Sequence, residues 1–293
     1  MADMGSTVPR RQLGRALRQL RNEAQVTLDG AAEALECSRQ KIWRIEYGLS
    51  AVRSVEVRAM CELYGATAEL TAALMALASQ TRAKGWWHAY GEVIPEWFEL
   101  YVGLEAAASR LRFYKDNLIP GILQSRDYAL SVFRQDRPEL APEEHLPAVE
   151  ARIVRQGLLT RRLPVAPNLD VVLSEAVLLR VVHDPAVMVT QLRHLLRVSH
   201  LPNVTIRVVP LAAGLHQGAV GGSFIVLDFP PGKRITPEPS VVYCESWTGA
   251  LYLDQPGELA AYEKSWASLE SLALDEEQSR RLIGKIIMEV HHG

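Results

Sequence analysis

At 293 residues the chain is long enough for about two domains, each burying its own core. A net charge of −2 argues against a general nucleic-acid binder, and no apolar run reaches the ~18 residues of a membrane span. Cys37, Cys61 and Cys244 are isolated, which excludes a disulfide framework and fits a reducing cytoplasm.

Residues 1–8 are polar, lack a signal-peptide core and are expected to form a disordered arm. Residues 9–22 predict a basic amphipathic helix with Leu13, Leu17 and Leu20 inward. Two short helices joined by a tight turn follow. In the first, Leu28, Ala31, Ala32 and Leu35 recur at helical spacing, and the Thr27 hydroxyl caps its start. Ser38 caps the second, which turns Ile42 and Ile45 inward and leaves Arg39, Gln40, Lys41 and Arg44 on the other face. Arginine and lysine read guanine edges or phosphates and glutamine reads adenine, so this face suits the major groove of double-stranded DNA. From Arg10 to Arg53 nine basic residues stand against five acidic ones, a basic head on an acidic body. A fourth helix is expected over 54–64, with Val55, Ala59 and Leu63 inward, and a fifth over 68–81.

Ser38, Ile42, Ile45, Glu46 and Gly48, in that order, resemble the phage-repressor (XRE) family of helix-turn-helix domains over about residues 10–80. The resemblance implies that the helix opening near Ser38 enters the major groove, with contacts from Thr27 or Leu28, Ser38, Arg39, Gln40, Lys41 and Arg44. It also implies a structural ion pair between Arg21 and Glu46. Gln25 and Glu36 stand where the family usually has glycine, so Glu36 is expected in a strained left-handed conformation.

Residues 82–103 form a junction dense in aromatics, among them Trp86, Trp87, Tyr90, Trp97 and Tyr101, interrupted by Gly85, Gly91 and Pro95. They suit interdomain or dimer packing or, alternatively, a ligand cage. Residues 104–293 read as a second domain. Helices are expected over 104–114, from Ser125 or Asp127 to 134, and over 143–160, 185–199, 256–272 and 276–290. Strands are expected at 169–174, 204–209, 223–229, 240–245 and 250–253. Gly218, Gly221 and Gly222 read as hairpin glycines. The pattern predicts an α+β chain: a five-helix bundle, then helices on a largely antiparallel sheet.

His183, His194, His200 and His216 lack metal-ligand spacing, and neither a nucleophile elbow nor a phosphate loop occurs; no catalytic residue, metal or cofactor is expected. Glu175 and Glu245 stand near strand ends and suit caps or ion pairs better than acid–base work. Leu104-Glu105-Ala106, Ile119 to Ser125 with Asp127-Tyr128-Ala129, Arg155-Gln156 and Ser174-Glu175-Ala176 resemble actinobacterial WhiJ-like regulators. So do Gln191-Leu192, Pro202 to Ile206, Gly221 to Phe224 and Val242 to Glu245. That resemblance implies an antitoxin-like transcription regulator encoded beside a small partner protein. The reading is thus a dimeric regulator that binds an operator and senses a small neighbouring protein or a small-molecule effector. An antitoxin acting mainly by clasping its partner, and an enzyme with a DNA-targeting head, are the alternatives.

Overall fold

A computed structural model describes residues 7–80, 96–182, 184–230, 239–247 and 249–290. It divides into two compact units, a smaller one covering Met1–Ala89 and Val102–Ala107 and a larger one covering Tyr90–Tyr101 and Ala108–Gly293.

The smaller unit contains the helices α1 (Thr7–Glu23), α2 (Leu28–Ala34), α3 (Arg39–Glu46), α4 (Ser54–Leu63) and α5 (Ala68–Gln80). Leu13 and Leu17 of α1, Ala31 and Ala32 of α2, Ile42 and Ile45 of α3, and Leu74 of α5 are buried. Burying a side chain of leucine or isoleucine size is worth about 1.5–3 kcal/mol. The buried face of α4 is Val57, Met60 and Cys61, whereas Val55 is exposed. The expected inward set, Val55, Ala59 and Leu63, is therefore shifted by two residues. In so short a helix several phases satisfy the apolar pattern, and only packing against α5 selects one. At Gly14 an added Cβ would lie 2.4 Å from the Ile45 carbonyl oxygen and 2.7 Å from that of Glu46. The absent side chain lets α1 cross α3 at backbone contact.

α6 (Glu96–Ala107) follows and is shared between the two units. The larger unit is built on β1 (Arg110–Lys115), β2 (Asn168–Ser174), β3 (Val204–Val209), β4 (Phe224–Asp228), β5 (Val241–Ser246) and β6 (Gly249–Leu253). Its helices are α7 (Arg126–Asp136), α8 (Leu146–Arg155), α9 (Glu175–Leu179), α10 (Pro185–Val198), α11 (Gln217–Gly221), α12 (Pro256–Leu272) and α13 (Glu276–Glu289). The strand order is β3-β2-β1-β4-β5-β6. β1 pairs parallel with β2, and β2 with β3, while β1–β4, β4–β5 and β5–β6 pair antiparallel. The sheet is thus mixed.

The expected helix over 104–114 is the principal correction. The helix ends at Ala107, and residues 110–115 form a central strand. Buried on both faces and paired on both edges, that strand shows no simple alternation, and pairing overrides its local propensity. Its one buried charge is Arg112, whose guanidinium donates to Asp228 (3.0 and 3.1 Å) and to Glu263 of α12 (both 2.6 Å). Tyr114, Val172, Phe224, Val226 and Val242 pack on the same face with Trp266 and Leu269 of α12. Gly218 and Gly221 lie in α11, not in a hairpin, and Gly222 caps that helix with φ 74°. A Cβ on Gly218 would come 2.7 Å from the Tyr114 ring, so close approach of α11 to the sheet accounts for this glycine.

Candidate nucleic-acid interface

The turn between α2 and α3 is built from backbone and two caps. Thr27 Oγ1 accepts from the Gly30 N–H at 3.0 Å and Ser38 Oγ from the Lys41 N–H at 3.2 Å, which fixes where each helix starts. Between them the Cys37 N–H donates to the Ala32 carbonyl (2.9 Å), and Glu36 sits at φ 48°. Gln25, before α2, is also left-handed at φ 56°. Both positions carry a Cβ where that conformation favours glycine. Gly48, at φ 68°, ends α3 as its N–H reaches the Ile45 carbonyl and the Leu49 N–H that of Arg44.

Ile42, Ile45 and Glu46 are buried, while Arg39, Gln40, Lys41, Trp43, Arg44 and Tyr47 are exposed. At about 100° per residue, Gln40, Arg44 and Tyr47 point most directly away from the buried face, with Trp43 beside them. Arg39 and Lys41 flank that ridge on opposite sides. Each flank is tied to a neighbouring helix. Arg39 Nε stands 3.6 Å from Asp29 of α2, and Lys41 Nζ 2.6 Å from Glu56 of α4. Burial raises the Glu56 pKa, but its bonds to Lys41 and to the Arg53 N–H outweigh this and hold it below the usual range. Such exposed pairs are worth about 0–1 kcal/mol, so phosphates can compete for both cations. Among the described residues Gln40 and Arg44 have neither a side-chain hydrogen bond nor an ion pair. Thr27 and Ser38 are exposed at the helix starts, with their hydroxyls accepting the capping bonds.

Arg21 and Glu46 are brought together under this surface. Arg21 Nε donates to Glu46 Oε1 (2.6 Å) and Nη2 to Oε2 (2.9 Å), a two-pronged pair, while Nη1 donates to the Val26 carbonyl (2.8 Å). The hydrogen bond to Glu46 raises the Arg21 pKa further. The pair links the end of α1 to the end of α3 and is committed to holding them.

Trp43 and Tyr47 are the surface residues that sequence reasoning passed over. Their rings are 4.9 Å apart, and the Arg18 guanidinium lies 5.0 Å from the Tyr47 ring centroid. The spacing of four, set against the inward Ile42 and Ile45, was the available signal. Of the junction aromatics, Trp86, Trp87 and Tyr90 lie outside the described residues, and only the backbone of Trp97 is described. Tyr101 is buried, its ring 4.4 Å from that of Tyr243 of β5, so it is a core residue rather than an exposed contact.

In the larger unit His216 caps α11, His194 Nδ1 lies 2.9 Å from Arg197, and Glu175 accepts from the Leu211 N–H. His183 lies outside the described residues. Among the described residues no His, Cys, Asp and Glu group could hold a metal ion, and no helix is long and apolar enough to cross a membrane.

A family model described as a helix-turn-helix domain matches residues 12–74. One described as a domain of unknown function, DUF5753, matches residues 98–285. No curated protein matches the chain. The smaller unit is therefore a helix-turn-helix DNA-binding domain of a regulator, with α2 and α3 as its two motif helices.

Proposed function

Since the chain belongs to the DUF5753 family and carries a helix-turn-helix domain ahead of that region, we propose that it is a sequence-specific transcription regulator. In this reading Gln40 and Arg44 read base edges, Arg39 and Lys41 serve bases or phosphates, and Thr27 and Ser38 touch the backbone at the helix starts. The observation that carries it is the outward ridge of α3, with Gln40 and Arg44 unpartnered between two exchangeable ion pairs. One such helix covers only a few base pairs, so a homodimer on half-sites about one helical turn apart is the expected binding form.

The larger unit is assigned dimerisation and sensing rather than catalysis. It is much larger than dimerisation requires, and an effector must favour one arrangement of the heads to act. The resemblance to WhiJ-like regulators supplies the candidate effector, a small protein from a neighbouring gene, and three isolated cysteines fit a reducing cytoplasm, where both would meet the DNA. Mapping of bound sites, with and without that protein, tests the reading. Exchanging Arg39, Gln40, Lys41 and Arg44 together for alanine should abolish specific binding. An operator bound as tightly by that variant as by the wild type would remove the assignment.

A further inference from the structure

Two aromatic side chains on α3 have no part in the base reading assigned above. The outward residues of this helix fall into two rows at a spacing of four: Arg39, Trp43 and Tyr47, and beside them Gln40 and Arg44. Lys41 lies on the far flank, against Glu56. Trp43 is 40% exposed and Tyr47 48%. Single exposed apolar residues are ordinary on a protein surface. These two instead form a pair, with ring centroids 4.9 Å apart and planes inclined by 32°. Ile42 and Ile45 already close the core beneath them, so the indole is not spent on filling it.

The pair is supported from a second helix. The Arg18 guanidinium of α1 lies 5.0 Å from the Tyr47 ring centroid, so Tyr47 touches both Arg18 and Trp43. α1 is itself fixed against α3, by the close approach at Gly14 and by the two-pronged bond of Arg21 to Glu46. The indole thus rests on a support that two helices hold. A side chain ordered in advance loses little rotamer freedom on binding, and tryptophan has only two rotatable side-chain bonds to lose.

The surroundings select the occupant. Arg39 precedes Trp43 by one turn, Arg44 follows it directly, and Arg18 lies beyond Tyr47. The acid beside them, Asp29, is set 3.6 Å from Arg39. An apolar pad with a cationic border suits a polyanion that also displays an apolar group. The pad is continuous with Gln40, one turn before Trp43, so a groove that receives Gln40 receives the indole as well. The major groove offers polar base edges and one apolar group, the 5-methyl of thymine. An adenine read by Gln40 brings a paired thymine into the same groove.

We propose that Trp43 determines specificity: its indole takes the 5-methyl of a thymine in each half-site, with Tyr47 and Arg18 as positioning residues that hold it. This rests on the regulator reading, because it needs α3 in the major groove, and it adds a base contact that the polar residues of the helix cannot make.

The test is selection of bound sequences from a randomised DNA duplex, using full-length wild type, Trp43→Ala and Trp43→Phe. The wild type should enrich a motif with a thymine in each half-site. Trp43→Ala should lose the preference at that position and keep the others, whereas Trp43→Phe, which still offers an apolar ring, should retain it. Deoxyuridine in place of that thymine removes only the methyl. It should weaken the wild type about fourfold per half-site, the worth of burying one methyl, and leave Trp43→Ala unmoved. The ratio of thymine to uracil affinity within one variant does not depend on how much of it is folded, so lost reading is separated from lost structure. Tyr47→Ala should shrink the uracil penalty, and an unchanged penalty there removes the positioning role. Equal penalties in wild type and Trp43→Ala, or the same motif enriched by both, would overturn the proposal and leave the pad to a protein partner. A wild type that enriches no sequence would instead remove the regulator reading, and this inference with it.

Discussion

Replacing Arg21 by methionine should damage the DNA-binding unit more than replacing Glu46 by leucine, although the two residues share one ion pair. The Glu46 side chain is 1% exposed and that of Arg21 11%. Arg21→Met strips Glu46 of both its guanidinium bonds, 2.6 and 2.9 Å, and leaves a carboxylate out of reach of water. Glu46→Leu leaves an arginine that keeps its 2.8 Å bond to the Val26 carbonyl and has more access to solvent. Breaking a buried pair from one side costs about 3–5 kcal/mol, so Arg21→Met should fall in that range and Glu46→Leu below it. The double variant should recover part of the loss, since neither charge is then stranded. For a unit of this size 1 kcal/mol moves the melting midpoint by about 4–8 °C, so Arg21→Met should lower it by more than ~12 °C. Hydrogen exchange of amides in α1 and α3, followed in the full chain, isolates this unit from the larger one. A cost under about 1 kcal/mol for Arg21→Met, the value of an exposed pair, would refute the reasoning.

Glu36→Gly should stabilise the smaller unit by up to about 1 kcal/mol, because a left-handed residue with a Cβ pays roughly 1–2 kcal/mol and glycine returns part of that as chain entropy; a lower midpoint in urea would contradict this. Gly14→Ala should cost about 1–3 kcal/mol through overpacking and weaken operator binding, since the new methyl meets backbone of α3 at 2.4 Å; unchanged stability and affinity would show that the helices part without penalty. Glu56→Gln keeps an acceptor for the Arg53 N–H but removes the charge facing Lys41. It should cost about 0–1 kcal/mol at neutral pH and strengthen DNA binding at low salt, and weaker binding in a gel-shift titration would count against an exchangeable pair. Because the Glu56 pKa is depressed in the fold, the stability it adds is present above its unfolded value. That stability fades as pH falls through the folded one, so wild type and Glu56→Gln should converge in acid.

The helix-turn-helix unit was legible before folding, down to individual bonds. Thr27 and Ser38 cap as their hydroxyls suggest, and, as the resemblance to phage-repressor domains implies, Glu36 takes the left-handed turn and Arg21 meets Glu46. These features are local, or rest on a motif whose spacing fixes the crossing of its helices. Five strands and most helices of the larger unit were legible for the same reason, since runs rich in Val and Ile between turn residues leave few alternatives. Tertiary structure alone decided the rest. β1 reads as the end of a helix because its neighbours β2 and β4 come from residues 168–174 and 224–228, and no local pattern announces pairing over such distances. Its parallel pairing with β2, together with that of β2 with β3, makes the sheet mixed, while the other three pairings are antiparallel as expected. The missed strand also hid the partners of Arg112, which meets Asp228 and Glu263 only after residues far apart in the chain are folded together. The phase of α4 was likewise settled by packing, and so was the burial of Tyr101 against Tyr243. Periodicity shows that a face is apolar, whereas what covers that face depends on contacts between distant segments.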